Sequence, residues 1–194
     1  FEISDIDIGN GTADNLIVWP DASGTYYTID VTPSADGTVT VDIPAGVYTD
    51  AAGNPNTAAS QFSITYDGTG PTATITSTES SPTTATYIPL TISFDESVTG
   101  FESGDVTVGN GTIWSFSGSG TTYTVNVTPT ASGAVTVDVA AGGCTDTAGN
   151  SNTAASQFSI TYQETIFTGS NVTTYGAGVF TSDLAISASG TITD

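Results

Sequence analysis

The sequence contains two copies of one unit, and this internal repeat limits the possible folds more than any single motif does. TDAAGNPNTAASQFSITYD at positions 49–67 returns as TDTAGNSNTAASQFSITYQ at positions 145–163. FEISDIDIGNGT at positions 1–12 likewise matches FESGDVTVGNGT at positions 101–112. Because self-similar units fold as the same local structure, the chain is expected to build one domain type twice.

Each copy has the pattern of a β-sheet protein. Apolar and polar residues alternate in YTIDVTP, TVTVDIPAG and QFSITY, and clusters of Gly, Asn, Asp, Ser and Pro separate these runs. Thr, Val and Ile are abundant, and no helical period is sustained. We predict an all-β fold and, since seven short strands suit it, an immunoglobulin-like β-sandwich. The strands predicted for the second copy are 72–76, 88–94, 105–108, 112–116, 123–127, 134–139 and 157–162.

The two copies differ in completeness. The first repeat, residues 1–67, begins at Phe1, which aligns with Phe101, so it lacks the counterpart of 71–100 and with it two N-terminal strands. The second repeat, residues 68–163, is complete. The tail, residues 164–194, does not match the repeat but contains strand-like runs. The expected architecture is therefore two tandem sandwiches, the first one incomplete, followed by a β-rich tail.

The charge balance excludes several functions. The chain has no Lys, Arg or His and has 20 acidic residues, which give a net charge of −20. Nucleic-acid binding is excluded because basic side chains carry that affinity. The lack of His removes the usual general base, and the adjacent Asp95 and Glu96 would point to opposite faces of a strand, so we expect no enzyme. No apolar run is long enough to span a membrane.

Three scarce residue types add smaller expectations. The absence of Met indicates a processed or excerpted piece rather than a chain that begins at a translation start. Cys144 aligns with Tyr48 and is expected at the edge of the core rather than as a reactive thiol. Trp19 and Trp114 are expected to pack in or against the sandwich, with a carbohydrate platform as the alternative.

A family resemblance rests on the order of four segments: FDESVTGFESGDVTVGNGT, YTVNVTP, AVTVDVAAG and TDTAGNSNTAASQFSITY. This order resembles the bacterial Ig-like repeats that are strung in arrays along large surface adhesins, and the likeness covers about Phe1 to Tyr162. The resemblance implies an extracellular, cell-surface, non-enzymatic stalk or adhesive module, often rigidified by calcium. It identifies no ligand.

A metal site is predicted at the junction between the repeats. If strands alternate in direction, the loops that carry the acidic residues lie at one end of the second sandwich, beside the linker. Oxygen ligands without nitrogen or sulfur suit calcium. A self-satisfied turn is the alternative explanation of the TDTAGN loop, and both can hold together. Asp36 is expected in a remote turn. The candidate ligands are Asp67, Asp95, Glu96, Asp146 and Asn150, with Asn152 nearby.

The incomplete first repeat suggests an assembly. The tail of one molecule, around Thr165 to Asp194, could complete the first repeat of the next by donor-strand addition, giving a head-to-tail homo-oligomeric filament. Two alternatives are an excerpt whose boundary falls inside a domain and a tail that begins a third domain. In function, the rival is a ligand-binding adhesin domain that recognises glycans or another surface.

Overall fold

The alternating segments of the sequence form eleven β-strands in the computed structural model, which describes residues 1–21 and 24–165. Within these residues the helical elements are two 3-10 turns, Ile3–Asp5 and Ser103–Asp105, and none is long and apolar enough to cross a membrane. The strands are β1 (Asp7–Gly9), β2 (Gly11–Asp21), β3 (Gly24–Pro33), β4 (Gly37–Asp42), β5 (Phe62–Tyr66), β6 (Ala73–Ser77), β7 (Ile88–Val98), β8 (Val106–Gly109), β9 (Gly111–Pro129), β10 (Gly133–Val139) and β11 (Phe158–Tyr162).

The second repeat is a two-layer sandwich. One sheet has the order β6-β7-β9 and the other has the order β8-β10-β11, with antiparallel pairing throughout. The core lies between the sheets because alternate side chains of each strand point inward. In β7 these are Ile88, Leu90, Ile92 and Phe94, all of them buried. Cys144 is buried as well, in agreement with the expectation of a core position.

The structure corrects the strand count of the second repeat. The fourth and fifth predicted strands, 112–116 and 123–127, belong to one continuous element, β9. The two halves of β9 still fold back on each other, since Asn126 Nδ2 donates a hydrogen bond to Ser115 Oγ over 2.7 Å. Gly118 and Gly120 lie between the halves with positive φ, which glycine adopts without strain. The chain therefore reverses its direction within β9, close to these two glycines.

The first repeat has the same design with one part missing. Its sheet β1-β4-β5 corresponds to β8-β10-β11, and the hairpin β2-β3 corresponds to β9. Among the described residues no strand borders the second edge of β3, where the second repeat places β7 beside β9. The predicted all-β fold, with tandem Ig-like sandwiches and a first repeat that lacks its two N-terminal strands, is confirmed.

The missing strands leave the interior of the first repeat open. Ile64 in β5 is 57% exposed, whereas Ile160, its counterpart in β11, is 3% exposed. Both occur in the same FSITY strand, so the difference comes from what covers them. A groove of about 400 Å³ runs along the open face. This first-repeat groove is lined by Phe1, Ile6, Tyr27, Ile29, Val41, Ile43 and Tyr48.

A parallel contact closes the second repeat near its C-terminal end. The segment that follows β6 forms a parallel bridge between Thr83 and Tyr162 of β11. Thr83 N donates to the Thr161 carbonyl oxygen over 2.9 Å, and Gln163 N donates to the Thr83 carbonyl oxygen over 2.8 Å. The early part of the repeat is thereby joined directly to its last strand.

Two identical substitutions should therefore have unequal effects. Ile160→Ala should lower the free energy of unfolding of the second repeat by about 2–5 kcal/mol, because it leaves a cavity in a packed core. Ile64→Ala should cost less than about 1 kcal/mol, because this side chain is largely in solvent. Urea unfolding in dilute solution measures both, and equal losses would contradict the fold described here.

Candidate metal centre

Three carboxylates meet at the junction between the repeats. Asp67, Glu96 and Asp146 each offer one oxygen atom, and these atoms lie within 4.8 Å of one another. Asp67 follows β5, Glu96 belongs to β7, and Asp146 lies in the TDTAGN loop between β10 and β11. The fold thus brings together acidic residues from the linker, from a core strand and from the repeated loop.

Asp146 is held by its own loop. Asn150 N donates to Asp146 Oδ1 over 2.8 Å, and Asn150 Nδ2 donates to Asp146 Oδ2 over 2.9 Å. The side chain is 4% exposed. Burial acts to raise the pKa of Asp146, but the hydrogen bonds from Asn150 outweigh it, so the pKa lies below its ordinary value. The carboxylate therefore remains ionised at neutral pH although it is buried.

The loop of the first repeat has the same hydrogen bonds in a different setting. Asn54 donates to Asp50 from its backbone and from its side chain, both over 2.9 Å. Asp50 is exposed, whereas Asp146 is buried beside the linker. Both loops are self-satisfied turns, as the alternative interpretation of the sequence supposed. What distinguishes the second loop is the neighbouring pair of carboxylates.

Asn150 also fixes the linker between the repeats. Its Nδ2 donates to the carbonyl oxygen of Asp67 over 3.1 Å and lies 3.4 Å from that of Thr69. A Cβ atom built on Gly70 would overlap the carbonyl oxygen of Ser151, so only glycine fits there without movement of the loop. The linker is consequently packed tightly against the loop of the second repeat.

Asn152, the further candidate from the sequence, supports the backbone. Its Nδ2 donates to the carbonyl oxygens of Ala140 and Thr153, and its Oδ1 accepts a hydrogen bond from Cys144 N over 3.0 Å. The side chain is buried and both of its polar ends are satisfied within the protein. The structure therefore places Asn152 in the turn rather than in the carboxylate cluster.

Asp95 lies next to the cluster in sequence but points elsewhere. Its Oδ1 accepts a hydrogen bond from Thr72 N over 2.8 Å, and its Oδ2 accepts one from Thr72 Oγ1 over 2.5 Å. These bonds, first from the Thr72 hydroxyl and then from its amide, lower the pKa of Asp95. Because neighbouring residues of a strand face opposite ways, Asp95 secures the start of the repeat while Glu96 faces the junction.

Glu96 is the carboxylate that the cluster destabilises. Burial raises its pKa, and the charges of Asp146, Asp67, Asp95 and Asp36 raise it further, in that order. No Lys or Arg exists in the sequence to balance these charges. The junction therefore favours either a proton on Glu96 or a bound cation.

The expectation that Asp36 lies in a remote turn is wrong. Asp36 Oδ1 accepts a hydrogen bond from Gly68 N over 2.7 Å, and Asp36 Oδ2 accepts one from the Thr69 hydroxyl. These bonds, the Thr69 hydroxyl first, lower the pKa of Asp36. Gly37 pairs with Tyr66 in the β4–β5 ladder, and this register places Asp36 beside the linker. The register of this strand pair, whose strands are joined by residues 43–61, is what locates Asp36.

The donor set of the cluster fits a hard divalent cation. Its side-chain ligands are oxygens alone, which calcium and magnesium prefer over nitrogen and sulfur. Calcium takes six to eight oxygens at about 2.3–2.6 Å, so two ligands of one ion are at most about 5 Å apart. The separation of the three carboxylates lies within that limit. Asn150 would then act by holding Asp146 and the linker in position.

The two tryptophans lie on the outside of the strands. Trp114 is 60% exposed and meets Tyr87 edge to face, with 5.8 Å between ring centroids. Trp19 is 49% exposed and stacks on Tyr26 at 6.4 Å. Neither ring is buried in the core, so any packing against the sandwich covers only part of each ring.

Comparison with known proteins gives one family. The family described as "Bacterial Ig-like domain" matches residues 1–66 and again residues 67–162, which together are 162 of the 194 residues. A search of curated proteins finds no match to the chain. The two matches coincide with the two copies of the repeated unit.

Two adjacent acids should respond to neutralisation with opposite signs. In calcium-free buffer at pH 7, Glu96→Gln should raise the melting temperature, because ionised Glu96 lies among like charges. Its pKa is raised, so the native state gains stability below the ordinary pKa of 4.5 and loses it as the pH rises through the folded-state pKa. Wild type and variant should therefore converge in acid.

The matched control is Asp95→Asn, which should lower the melting temperature at pH 7. The pKa of Asp95 is lowered by Thr72, so its contribution is present above its ordinary pKa and is lost as the pH falls through the folded-state value. Thermal unfolding from pH 3 to pH 8 checks both variants. Shifts of the same sign at pH 7 would contradict the placement of Asp95 at Thr72 and of Glu96 in the acidic cluster.

Proposed function

Because the chain belongs to the family of bacterial Ig-like domains, we propose that it is a stalk or filament module of a bacterial extracellular surface protein. Domains of this family are typically non-catalytic structural modules and are commonly found at the cell surface. The observation that carries the finer proposal is the open face of the first repeat, where the second repeat has β6 and β7. Exposed strand edges of this kind recruit further strands.

We propose that the added strands come from the tail of a neighbouring molecule. The tail, 165–194, contains strand-like runs that suit an added strand. Residues 166–194 lie outside the described residues, so the support comes from the groove and from the sequence of the tail. A head-to-tail contact of this type is heterologous and extends into a filament unless it closes into a ring.

Light scattering over a concentration series tests this assembly. The full chain should increase in mean mass as the concentration rises, whereas a chain that ends at Glu164 should remain monomeric. The truncated chain retains both described repeats, so loss of assembly can be assigned to the tail. A full chain that stays monomeric at all concentrations would exclude the filament.

We further propose that calcium binds at the junction through Asp67, Glu96 and Asp146 and holds the two repeats at a fixed angle. The support is the proximity of the three carboxylates, the raised pKa of Glu96 and the packed linker. A divalent cation would neutralise the repulsion that the sequence leaves uncompensated. The ion would thus remove the repulsion among the three carboxylates and stiffen the connection between the two repeats.

Calcium should raise the melting temperature, and chelator should reverse the effect. At a free concentration 100 times its dissociation constant, a ligand that binds only the folded state adds about 2.7 kcal/mol. Asp67→Asn should reduce this gain strongly. Asp50→Asn is the matched control, since Asp50 has the same loop contacts without the neighbouring carboxylates, and it should leave the gain unchanged. An equal calcium effect in both variants would argue against the junction site.

A ligand-binding adhesin domain is the second candidate function. The exposed pair of Trp114 and Tyr87 favours it, because aromatic faces of this kind stack on the apolar faces of sugars. Specific binding on a glycan array that disappears with Trp114→Ala would support this function over a purely structural one.

A further inference from the structure

The outer face of the β6-β7-β9 sheet in the second repeat is rich in hydroxyl groups. Because alternate residues of a strand share a face, this side is opposite the buried Leu90, Ile92 and Val125. Neighbouring strands lie about 4.8 Å apart, so a row of side chains across the three strands spans about 10 Å. The register forms two rows of hydroxyl side chains: Thr76, Thr91 and Thr124 in one, and Thr74, Ser93 and Thr122 in the other.

An aromatic pair borders these hydroxyl rows. Trp114 and Tyr87 are both exposed, and their ring planes meet at 81°. Asn126 lies two residues beyond Thr124 in β9 and therefore faces the same side. Its Nδ2 donates a hydrogen bond over 2.7 Å to Ser115 Oγ, next to Trp114 in the chain. The aromatic rings, the amide and the hydroxyl rows thus form one continuous uncharged surface.

The first repeat carries carboxylates at the corresponding place. Trp114 and Asn126 align with Asp14 and Asp30, which lie opposite each other in the β2–β3 ladder. Asp30 Oδ2 accepts a hydrogen bond from Asn15 Nδ2 over 2.9 Å. Two copies of one unit therefore differ in charge at this point, and the uncharged surface belongs to the second repeat.

The chemistry of this surface fits an uncharged sugar. A pyranose has C–H groups on its ring face, which stack on aromatic rings, and hydroxyl groups on its rim, which pair with Thr hydroxyls and with amides. The sequence has no Lys, Arg or His to pair with the carboxylate or sulfate of an acidic sugar, and its net charge of −20 repels one. A cationic amino sugar would be drawn to acidic surfaces, such as that of Asp14 and Asp30, rather than to a neutral one.

We infer that the outer face of the β6-β7-β9 sheet binds an uncharged oligosaccharide. One pyranose stacks on the Trp114 and Tyr87 pair, and further units lie across the strands along the row Thr124, Thr91 and Thr76. This inference rests on the second candidate function, the ligand-binding adhesin domain, and adds the class of its ligand and the place where it binds.

A glycan array tests the class of ligand. The uncharged probes are tetrasaccharides of glucose, galactose, mannose and N-acetylglucosamine, and the charged probes are tetragalacturonate and the tetramer of glucosamine. The full chain should bind an uncharged probe and should not bind tetragalacturonate. The dissociation constant of the bound probe, from calorimetry, should change less than about twofold between about 0.02 M and about 0.5 M NaCl, because salt screens only interactions between charges.

Three variants test the place of binding. Trp114→Ala should raise the dissociation constant by roughly tenfold or more, whereas Trp114→Phe should retain most of the affinity, since a smaller ring still stacks. Trp19→Ala is the matched control: Trp19 is also exposed, but its partner Tyr26 shares a face with Asp30, so binding should be unchanged. Because both Trp side chains are exposed, the melting temperature should be retained in all three variants.

The outcomes separate this inference from the function on which it rests. Binding of an uncharged probe that survives Trp114→Ala would overturn the site but not the adhesin function. Binding confined to a charged probe, or an affinity that falls steeply with salt, would overturn the class of ligand. Binding to none of the probes would reject both this inference and the adhesin function, and it would leave the stalk module standing.

Discussion

The burial of β7 is the interaction on which the rest of the structure depends. Its inward side chains occupy the centre of the second sandwich, and its far end carries Glu96 into the junction. The first repeat lacks this strand, and its identical FSITY segment is left largely in solvent. One strand thereby decides both whether a repeat has a closed core and whether its end can form an acidic cluster. Packing and electrostatics are linked through the same residues.

Neutral hydrogen-bond donors stabilise the charged form of three acidic residues. Thr72 donates to Asp95, and Asn150 donates to Asp146. Thr69 and Gly68 donate to Asp36. In each case these hydrogen bonds lower the pKa of the carboxyl group. Hydrogen bonds to a carboxylate favour its charged form without a salt bridge. Glu96 differs from these three because burial, and then the charges of neighbouring acids, raise its pKa. At the junction, therefore, the negative charge of Glu96 is not compensated by hydrogen-bond donors among the described residues.

Much of this organisation follows from the sequence, and the exceptions have specific causes. The repeat and its period-2 runs predict the sandwich, and the polar loops place Asp67, Glu96 and Asp146 at one end. Asp95 could not be separated from Glu96 because the choice depends on which side chain faces Thr72 across a strand pair. The position of Asp36 depends on the register of the β4–β5 strand pair, which places Gly37 opposite Tyr66 and which the local pattern does not specify. Local sequence patterns predict the β-strands, whereas the register between paired strands decides which side chains are in contact.

The parallel bridge between Thr83 and Tyr162 determines how the second repeat responds to a pulling force. When the two ends of a sandwich are drawn apart, parallel neighbours slide along each other, so their hydrogen bonds are loaded in shear and must break together. Forced unfolding is governed by the barrier to that first rupture. The two hydrogen bonds of Thr83 therefore resist separation of the segment after β6 from the last strand of the second repeat.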